Sequence, residues 1–288
     1  MINRTLDSST RLAAIIGNPV AQSLSPIIHN AVFESLKVNW LYLAFLVESG
    51  KVRNALDVMA VLGIAGYSVT MPHKNDVAKI VREIGEVDEI VSATNSANTV
   101  LLRQNGTIFA TNTDGQGACN AIESSSTQKI ADSRVVVLGA GGTASAVVFS
   151  LIKNGAAEVV IANRTSANAE QIAKNYKNCR VSSDLGREVA DSHVIINTTP
   201  VGFNPDGEPN AKGGLEPIDV SLITAKHVVL DAVYRPLETG LLRAAKKVGA
   251  QTVDGLEMLV HQASLQQEVW LGKRGDTKLM RRVALDHQ

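Results

Sequence analysis

A glycine-rich turn near the middle of the chain constrains its fold more than any other feature. The segment Gly139-Ala-Gly-Gly-Thr-Ala144 follows an apolar run at residues 134–138 and opens a run of helical character that ends at Lys153. It fits G-x-G-x-x-A, the pattern of a strand that turns into a helix beneath a dinucleotide, with alanine in place of the third glycine. The turn predicts a doubly wound domain around it, so the residues before it must form a different domain.

Predicted strands and helices alternate after this turn. Strands are predicted at residues 134–138, 158–163, 193–198 and 227–233, with a short one at 252–254. Helices are predicted between them, and two more close the chain at residues 256–271 and 276–286. This alternation is typical of a Rossmann-type, doubly wound dinucleotide-binding domain, which we place at residues 114–256. Residues 200–214 are predicted to be a long irregular loop.

The residues before the turn show the same alternation in a shorter form. Strands are predicted at residues 12–16, 40–47 and 67–71, and helices at 27–36, 52–62 and 76–84. Residues 99–111 are predicted to form a β-hairpin around Asn105-Gly106. The fold class is therefore α/β, with a mostly parallel, helix-covered N-terminal domain over residues 1–113.

Composition excludes several classes of function. The 288 residues suggest two domains, at roughly 100–200 residues each. The 28 basic and 28 acidic side chains cancel, so no nucleic-acid partner is expected. The longest apolar run, Trp40 to Val47, is far shorter than the ~20 residues that a membrane span needs. Cys119 and Cys179 have neither disulfide nor metal-ligand spacing, which favours a reducing cytoplasm and no structural metal.

The glycine turn itself predicts how a cofactor is held. Gly139 and Gly141 let the backbone turn tightly and approach a pyrophosphate, while Ala144 allows close packing of helix and strand. The start of the helix adds N–H groups and a partial positive charge. The alternative is a strand–helix connection that binds nothing, but the βαβ context favours the cofactor site.

The residues after the next strand favour NADP(H) over NAD(H). An NAD site usually has an acid there for the ribose hydroxyls, whereas this chain has Asn163-Arg-Thr165. Arg164 is suited to a 2′-phosphate, and Thr165 adds a hydroxyl. Alternatively, Arg164 only extends into solvent. S-adenosylmethionine sites usually carry an acid at this point, so the basic residue argues against a methyltransferase.

Three polar clusters lie at predicted strand ends in the first domain, where open α/β sheets bind ligands. In the first, Ser25 is predicted to cap a helix that begins at Pro26, and Ser23 adds a second hydroxyl suited to a carboxylate. In the second, a strand ends at Pro72 and Lys74 follows. Each cluster also has a plain structural explanation, a helix cap for the serines and a solvated side chain for the lysine.

The third cluster lies at the open end of the predicted hairpin. Asn98-Thr99 stands at one terminus and Asn112-Thr-Asp114 at the other, so the hairpin should bring Asn98 and Asp114 together. Asp114 is also a plausible cap for the helix that follows it. A lysine and a carboxylate can form an acid–base pair for ketone reduction, in which Lys74 protonates the oxygen and Asp114 orients the lysine and a substrate hydroxyl.

Taken in order, these motifs make the chain resemble the shikimate dehydrogenase family, including its quinate/shikimate dehydrogenase branch, from about Ile16 to Trp270. The resemblance is carried by Gly17-Asn-Pro-Val20, Ser23-Leu-Ser-Pro26, Val69-Thr-Met-Pro-His-Lys74, Ala97-Asn-Thr99, Asn112-Thr-Asp114, Gly139-Ala-Gly-Gly142, Asn163-Arg-Thr165, Asp231-Ala-Val-Tyr234 and Gly255-Leu-Glu-Met-Leu-Val-His-Gln-Ala263. It implies reversible, NADPH-dependent reduction of 3-dehydroshikimate, with NAD(H) possible, by a cytoplasmic monomer or homodimer.

The resemblance also assigns roles to individual residues. It implies that Lys74 and Asp114 are the catalytic pair, that Ser23 and Ser25 hold the substrate carboxylate, and that Thr70, Asn98, Tyr234 and Gln262 bind its hydroxyls, with Ser68 at the substrate ring. The implied cofactor residues are Gly139, Ala140, Gly141, Gly142, Thr143, Ala144, Asn163, Arg164, Thr165, Ala232 and Gly255. It further implies that the C-terminal helices, residues 257–288, return to the first domain and bring Gln262 to the site.

The sequence departs from the family pattern at three positions. The family often has His where this chain has Gln22, usually has Asn where it has Ser68, and often has a basic residue where it has Asn168. These changes leave open a paralogue that acts on quinate, aminoshikimate or another cyclic polyol acid. Two further alternatives are a nucleotide-binding regulator without activity and a two-domain reductase of the methylenetetrahydrofolate dehydrogenase kind.

Overall fold

The computed structural model describes residues 6–204 and 216–287, so most of the predicted loop at 200–214 lies outside the described residues. The chain divides into two compact units. Unit 1 contains Met1–Thr113 and Gln262–Gln288, and unit 2 contains Asp114–His261. Among the described residues, no helix combines the length and apolar character that a bilayer crossing requires.

Unit 1 is built on a six-stranded sheet with the order β2-β1-β3-β5-β6-β4. Its strands are β1 (Arg11–Gly17), β2 (Trp40–Leu46), β3 (Gly66–Val69), β4 (Glu86–Val87), β5 (Thr99–Leu102) and β6 (Ile108–Thr111). Between them lie helices α1 (Ser25–Ser35), α2 (Val52–Leu62), α3 (Lys74–Ile84) and α4 (Glu89–Thr94). Strand β1 pairs in parallel with β2 and β3, whereas β5 is antiparallel to both β3 and β6.

The hairpin that the sequence predicts is formed by β5 and β6. Gly106 takes a φ of 82°, a left-handed conformation that glycine adopts at little cost, and its N–H donates to the carbonyl of Arg103. Strand β3 ends at Val69 rather than at the predicted Met71, because Thr70 and Pro72 turn the chain into α3. Strand β4 was not predicted, since two residues carry no periodic signal.

Unit 2 contains a fully parallel six-stranded sheet with the order β12-β11-β10-β7-β8-β9. Its elements are α5 (Asp114–Ser125), β7 (Arg134–Leu138), α6 (Gly142–Lys153), β8 (Glu158–Ala162), α7 (Ser166–Ala173), β9 (Cys179–Val181), α8 (Leu185–Asp191), β10 (Val194–Asn197), β11 (Val228–Asp231), α9 (Gly240–Lys247) and β12 (Gln251–Val253). This order is that of the doubly wound dinucleotide-binding fold, so the predicted fold class is confirmed. Strand β9 was missed because it is a short edge strand without a fully buried residue.

The chain then enters α10 (Gly255–Leu271) and α11 (Thr277–Leu285). The division between the units falls inside α10, after His261, and α11 lies beside α1. In unit 1, the buried Trp270 of α10 donates its indole N–H to the Val100 carbonyl at 3.0 Å. A Cβ on Gly66 would lie 2.3 Å from the indole nitrogen of Trp270, so only glycine leaves room for this side chain.

Candidate active site

The glycine turn of unit 2 lies directly between β7 and α6. Gly139 has a φ of 109°, and a Cβ there would lie 2.6 Å from the hydroxyl oxygen of Thr198. The turn is thereby held against the residue that follows β10. Strands β7 and β10 are the neighbours at which the strand order of this sheet reverses, and ligands of doubly wound sheets bind outside the carboxyl ends of such strands.

The backbone at Gly141 fits a phosphate-bearing cofactor. Gly141 is the N-cap of α6 in an extended conformation, with a φ of −90° and a ψ of −170°. A Cβ on it would meet no atom within 4 Å, so open space adjoins the helix start. Ala144, one turn into the helix, is fully buried. The turn thus offers close packing on one side and room for a diphosphate on the other.

The segment after β8 presents a cation. Asn163 shapes this turn, because its side-chain amide donates to the Thr165 carbonyl at 2.8 Å. Arg164 and Thr165 are exposed, and Thr165 occupies the N-cap of α7 without using its side chain as a cap. Among the described residues, Arg164 takes part in no ion pair. An arginine in this position is suited to a 2′-phosphate.

Two further residues of the cofactor assignment lie together in unit 2. Ala232 follows β11, and its N–H donates to the Asn197 carbonyl at 2.9 Å. A Cβ on Gly255 would lie 2.6 Å from the Ala232 carbonyl oxygen and 2.5 Å from that of Val233, so this glycine permits close backbone packing. Tyr234 lies just beyond, half-buried, and burial raises the pKa of its hydroxyl. Tyr234 therefore stays a hydrogen-bond donor at neutral pH.

Sequence reasoning gave no role to Asp231, which holds the end of β11. Its carboxylate accepts hydrogen bonds from the side chains of Asn197 at 2.8 Å and Thr239 at 2.7 Å. The carboxyl is fully buried, and burial raises its pKa to about 6 despite these donors. Because its partners are groups of the fold, we interpret Asp231 as the residue that fixes the backbone leading to Ala232.

Asp114 is the first residue of α5 and is 6% exposed. The helix behind it lies very close to α6, since a Cβ on Gly115 would be only 2.0 Å from the Ala146 carbonyl oxygen. Any side chain at residue 115 would push α5 away from α6. The position of Asp114 is therefore set relative to the glycine turn within unit 2.

In unit 1, the prediction that Ser25 caps α1 is wrong. The helix begins at Ser25 itself, and its N-cap is Leu24, which already has helical dihedral angles. Because the chain becomes helical one residue earlier than expected, the Ser23 hydroxyl accepts the N–H of Ser25 at 3.2 Å. Ser25 is buried and Ser23 half-buried, so both hydroxyls remain at the start of α1.

Lys74 lies at the edge of the unit 1 sheet where β1 and β3 end. It is the half-buried first residue of α3, and its carbonyl accepts the N–H of Ala97 at 3.0 Å. Thr70 donates its N–H to the Ile16 carbonyl, and a Cβ on Gly17 would lie 2.3 Å from the Thr70 methyl carbon. Backbone contacts therefore bring Thr70 and Lys74 to the same edge as Asn98, which follows Ala97 in the chain.

Asn98 joins this edge to α10. Its side-chain oxygen accepts the N–H of Thr113 at 2.8 Å, and its amide nitrogen donates to the Gln262 side-chain oxygen at 3.3 Å. Gln262 thus lies beside Asn98, a contact between residues 164 positions apart that local spacing does not predict. Ser68 is only 4% exposed and is bonded to Tyr42 and Gln266, so it lies within the sheet edge rather than on its surface.

The candidate residues are divided between the units. Unit 1 contains Ser23, Ser25, Ser68, Thr70, Lys74, Asn98 and Gln262, and unit 2 contains Asp114, Tyr234 and all the candidate cofactor residues. Within residues 6–204 and 216–287, no group of His, Cys, Asp and Glu side chains is arranged to hold a metal ion.

Comparison with known proteins extends over almost the whole chain. Residues 15–100 match the shikimate dehydrogenase substrate binding domain, residues 121–201 match shikimate / quinate 5-dehydrogenase, and residues 255–285 match the shikimate 5′-dehydrogenase C-terminal domain. A shikimate dehydrogenase (NADP(+)) of Methanopyrus kandleri is 37% identical, with 99% of each chain covered.

Solved structures of related enzymes are also similar to almost the whole chain. The shikimate 5-dehydrogenase of Thermus thermophilus in complex with NADP(H) and shikimate is 30% identical with a TM-score of 0.86, covering 97% of this chain and 100% of that one. The quinate dehydrogenase of Corynebacterium glutamicum in complex with NAD is 27% identical with a TM-score of 0.85, covering 96% of this chain and 99% of that one.

Proposed function

Because the chain belongs to the shikimate dehydrogenase family, we propose that it reversibly reduces 3-dehydroshikimate to shikimate with NADPH. The main support is the polar edge of the unit 1 sheet, where backbone contacts bring Lys74 and Thr70 to the start of β5, and where Asn98 is bonded to Gln262 of α10. Such an edge combines a proton donor with amide and hydroxyl groups, which suits a small hydroxylated acid better than an apolar substrate.

Each group has a role in this reaction. NADPH, when bound, supplies the hydride. The Lys74 ammonium polarises the ketone and gives a proton to its oxygen, and the Asp114 carboxylate orients the lysine and a ring hydroxyl. Ser23 and Ser25, at the start of α1, bind the substrate carboxylate. Thr70, Asn98, Tyr234 and Gln262 bind hydroxyl groups.

The cofactor is held by unit 2 in this proposal. The residues that bind it are Gly139, Ala140, Gly141, Gly142, Thr143, Ala144, Asn163, Arg164, Thr165, Ala232 and Gly255. We further propose that the enzyme works in the cytoplasm, as a monomer or homodimer. Cys119 and Cys179 are free thiols, and burial raises the pKa of each to about 12, so neither is a reactive thiolate at neutral pH.

The proposed function is tested by measuring kcat/KM for shikimate and quinate with NADP+ and with NAD+. We expect shikimate with NADP+ to give the highest value of the four. Quinate turnover equal to or faster than shikimate turnover would contradict the substrate assignment. A faster reaction with NAD+ would contradict the cofactor assignment.

Quinate oxidation is the second candidate. It is favoured by Ser68, which is shorter than the Asn usually found there, and by the likeness to the quinate dehydrogenase described above. The Ser68 hydroxyl already accepts from Tyr42 and donates to Gln266, which argues against it as a direct determinant of ring specificity. Shikimate is therefore the proposed substrate.

Arg164 provides a test of the cofactor preference. We expect Arg164→Ala to raise KM for NADPH by about tenfold or more, because the variant loses a charge-assisted bond to the 2′-phosphate. The KM for NADH, which has no such phosphate, should change by less than about twofold. The matched control is Arg134→Ala, which removes another exposed arginine of unit 2 at the amino end of β7. Equal effects on NADPH and NADH would remove Arg164 from phosphate recognition.

A further inference from the structure

A continuous hydrogen-bonded network runs through the buried edge of the unit 1 sheet. The Tyr42 hydroxyl donates to the Ser68 hydroxyl at 2.6 Å, and Ser68 donates to the side-chain oxygen of Gln266 at 2.7 Å. The Gln266 amide nitrogen lies 3.1 Å from both the Asn98 carbonyl oxygen and the Thr99 hydroxyl. None of these five residues is more than 4% exposed.

The donor and acceptor of each bond follow from two backbone groups, the Asn98 carbonyl and the Thr113 N–H. The Asn98 carbonyl can only accept, so the Gln266 nitrogen faces it and the Gln266 oxygen faces Ser68. Thr99 accepts from Gln266 and so donates to the Asn98 side-chain oxygen, at 2.7 Å. That oxygen also accepts the Thr113 N–H, which confirms its orientation. Ser68 must therefore donate to Gln266 and accept from Tyr42, whose pKa burial raises.

We propose that Gln266 is a positioning residue for substrate binding, and that its amide replaces the asparagine amide that the family usually has at position 68. Because the Ser68 hydroxyl lies 2.7 Å from the side-chain oxygen of Gln266, an asparagine at position 68 of β3 would carry its amide into the space that Gln266 fills from α10. Ser68 is small enough to admit the Gln266 side chain and keeps one hydroxyl to bond it. The effect of Gln266 on substrate binding rests on the proposed function. The replacement of one buried amide by another does not.

Gln266 acts on the substrate through Asn98. It bonds the Asn98 backbone carbonyl directly and the Asn98 side chain through Thr99, so it fixes both ends of a residue that we assign to hydroxyl binding. Without the amide, the Asn98 carbonyl and the Thr99 hydroxyl lose a donor in a buried site. Rearrangement of Asn98 should then weaken ring-acid binding more than NADPH binding, since all the assigned cofactor residues are in unit 2.

The test compares three variants with the wild type: Gln266→Met, which keeps the volume and removes the amide, Ser68→Asn, and the exchange Ser68→Asn/Gln266→Ala. We expect Gln266→Met to raise KM for 3-dehydroshikimate by about tenfold and to lower Tm by about 5 °C, with KM for NADPH within about twofold. Ser68→Asn alone should also lose stability because it crowds Gln266. The exchange should return KM to within about threefold of the wild type and recover most of Tm.

Ser264→Ala is the matched control, because it removes a buried hydroxyl of α10 that bonds the Gly275 carbonyl outside this network. It should lower Tm without raising KM for the ring acid. The proposal is overturned if Gln266→Met leaves KM for 3-dehydroshikimate within about twofold of the wild type. It is also overturned if KM and Tm of the double variant are no closer to the wild type than those of the worse single variant. If the wild type reduces no ring acid, the proposed function fails, and the exchange of amides is then decided by Tm alone. A Tm that the double variant does not recover would overturn it.

Discussion

The Lys74→Ala variant is expected to lose about 10²–10⁴-fold in kcat for 3-dehydroshikimate reduction while its fold is retained. The side chain of Lys74 is half-buried at the first position of α3, and truncation leaves that helix its buried face of Val77, Ala78 and Val81. The reaction still requires a proton at the ketone oxygen, and no donor in unit 1 other than Lys74 is cationic among the residues assigned to the site. The measurement is steady-state kinetics, with circular dichroism and Tm to establish the fold.

The control for this experiment is Lys79→Ala, which removes an exposed lysine of the same helix. It should keep kcat within about twofold of the wild type. A Lys74→Ala enzyme that turned over at the wild-type rate would exclude Lys74 as the acid and leave the chain without an assigned proton donor. A loss of fold in Lys74→Ala alone would instead assign the residue a structural role.

The Gly141→Asp variant is expected to weaken NADPH binding by about 100-fold or more without loss of stability. A Cβ at this position meets no atom within 4 Å, and the extended backbone of Gly141 is open to any residue. Aspartate is also a preferred N-cap, so α6 should be at least as stable as before. The new carboxylate would lie where we place the diphosphate, at a cost of about 1–4 kcal/mol for each pair of charges about 4 Å apart.

Gly141→Asn is the matched control, because it adds nearly the same volume and a good N-cap without the charge. We expect a smaller loss of NADPH affinity in this variant, which separates crowding from repulsion. The dissociation constants are measured by fluorescence titration and the stabilities by thermal unfolding. NADPH affinity within about threefold of the wild type in Gly141→Asp would place the cofactor elsewhere.

Most of the fold was predictable because it depends on local patterns. The glycine turn and the alternating strands and helices predicted the doubly wound unit, and Asn105-Gly106 predicted the hairpin that carries Asn98. The elements that were missed are short: α4 has six residues, and β4 and β9 are edge strands with no periodic signal. The cap at Ser25 was wrong because sequence cannot reveal that Leu24 is already helical.

The candidate site was predictable only where its residues lie beside the ends of predicted strands. Lys74 and Asn98 could be named on that basis, whereas Gln262 required the family resemblance, because a polar residue on a helix has no distinctive spacing. Tyr42 and Gln266 had no signal, since a tyrosine in a buried strand and a glutamine in a helix are ordinary. Gly115 likewise had no signal, because sequence does not show that a Cβ there would lie 2.0 Å from the Ala146 carbonyl oxygen.

The division of the chain into units has a consequence for the order in which the protein matures. Unit 2 is one continuous stretch, whereas unit 1 is completed only by Gln262–Gln288, which include Gln266, Trp270 and α11 beside α1. During synthesis, at about 5–20 residues per second, every residue of unit 2 leaves the ribosome before the last segment of unit 1. Unit 2 can therefore fold before unit 1 is complete. Until the last segment is synthesised, Gly66 and the Val100 carbonyl of unit 1 are not covered by Trp270.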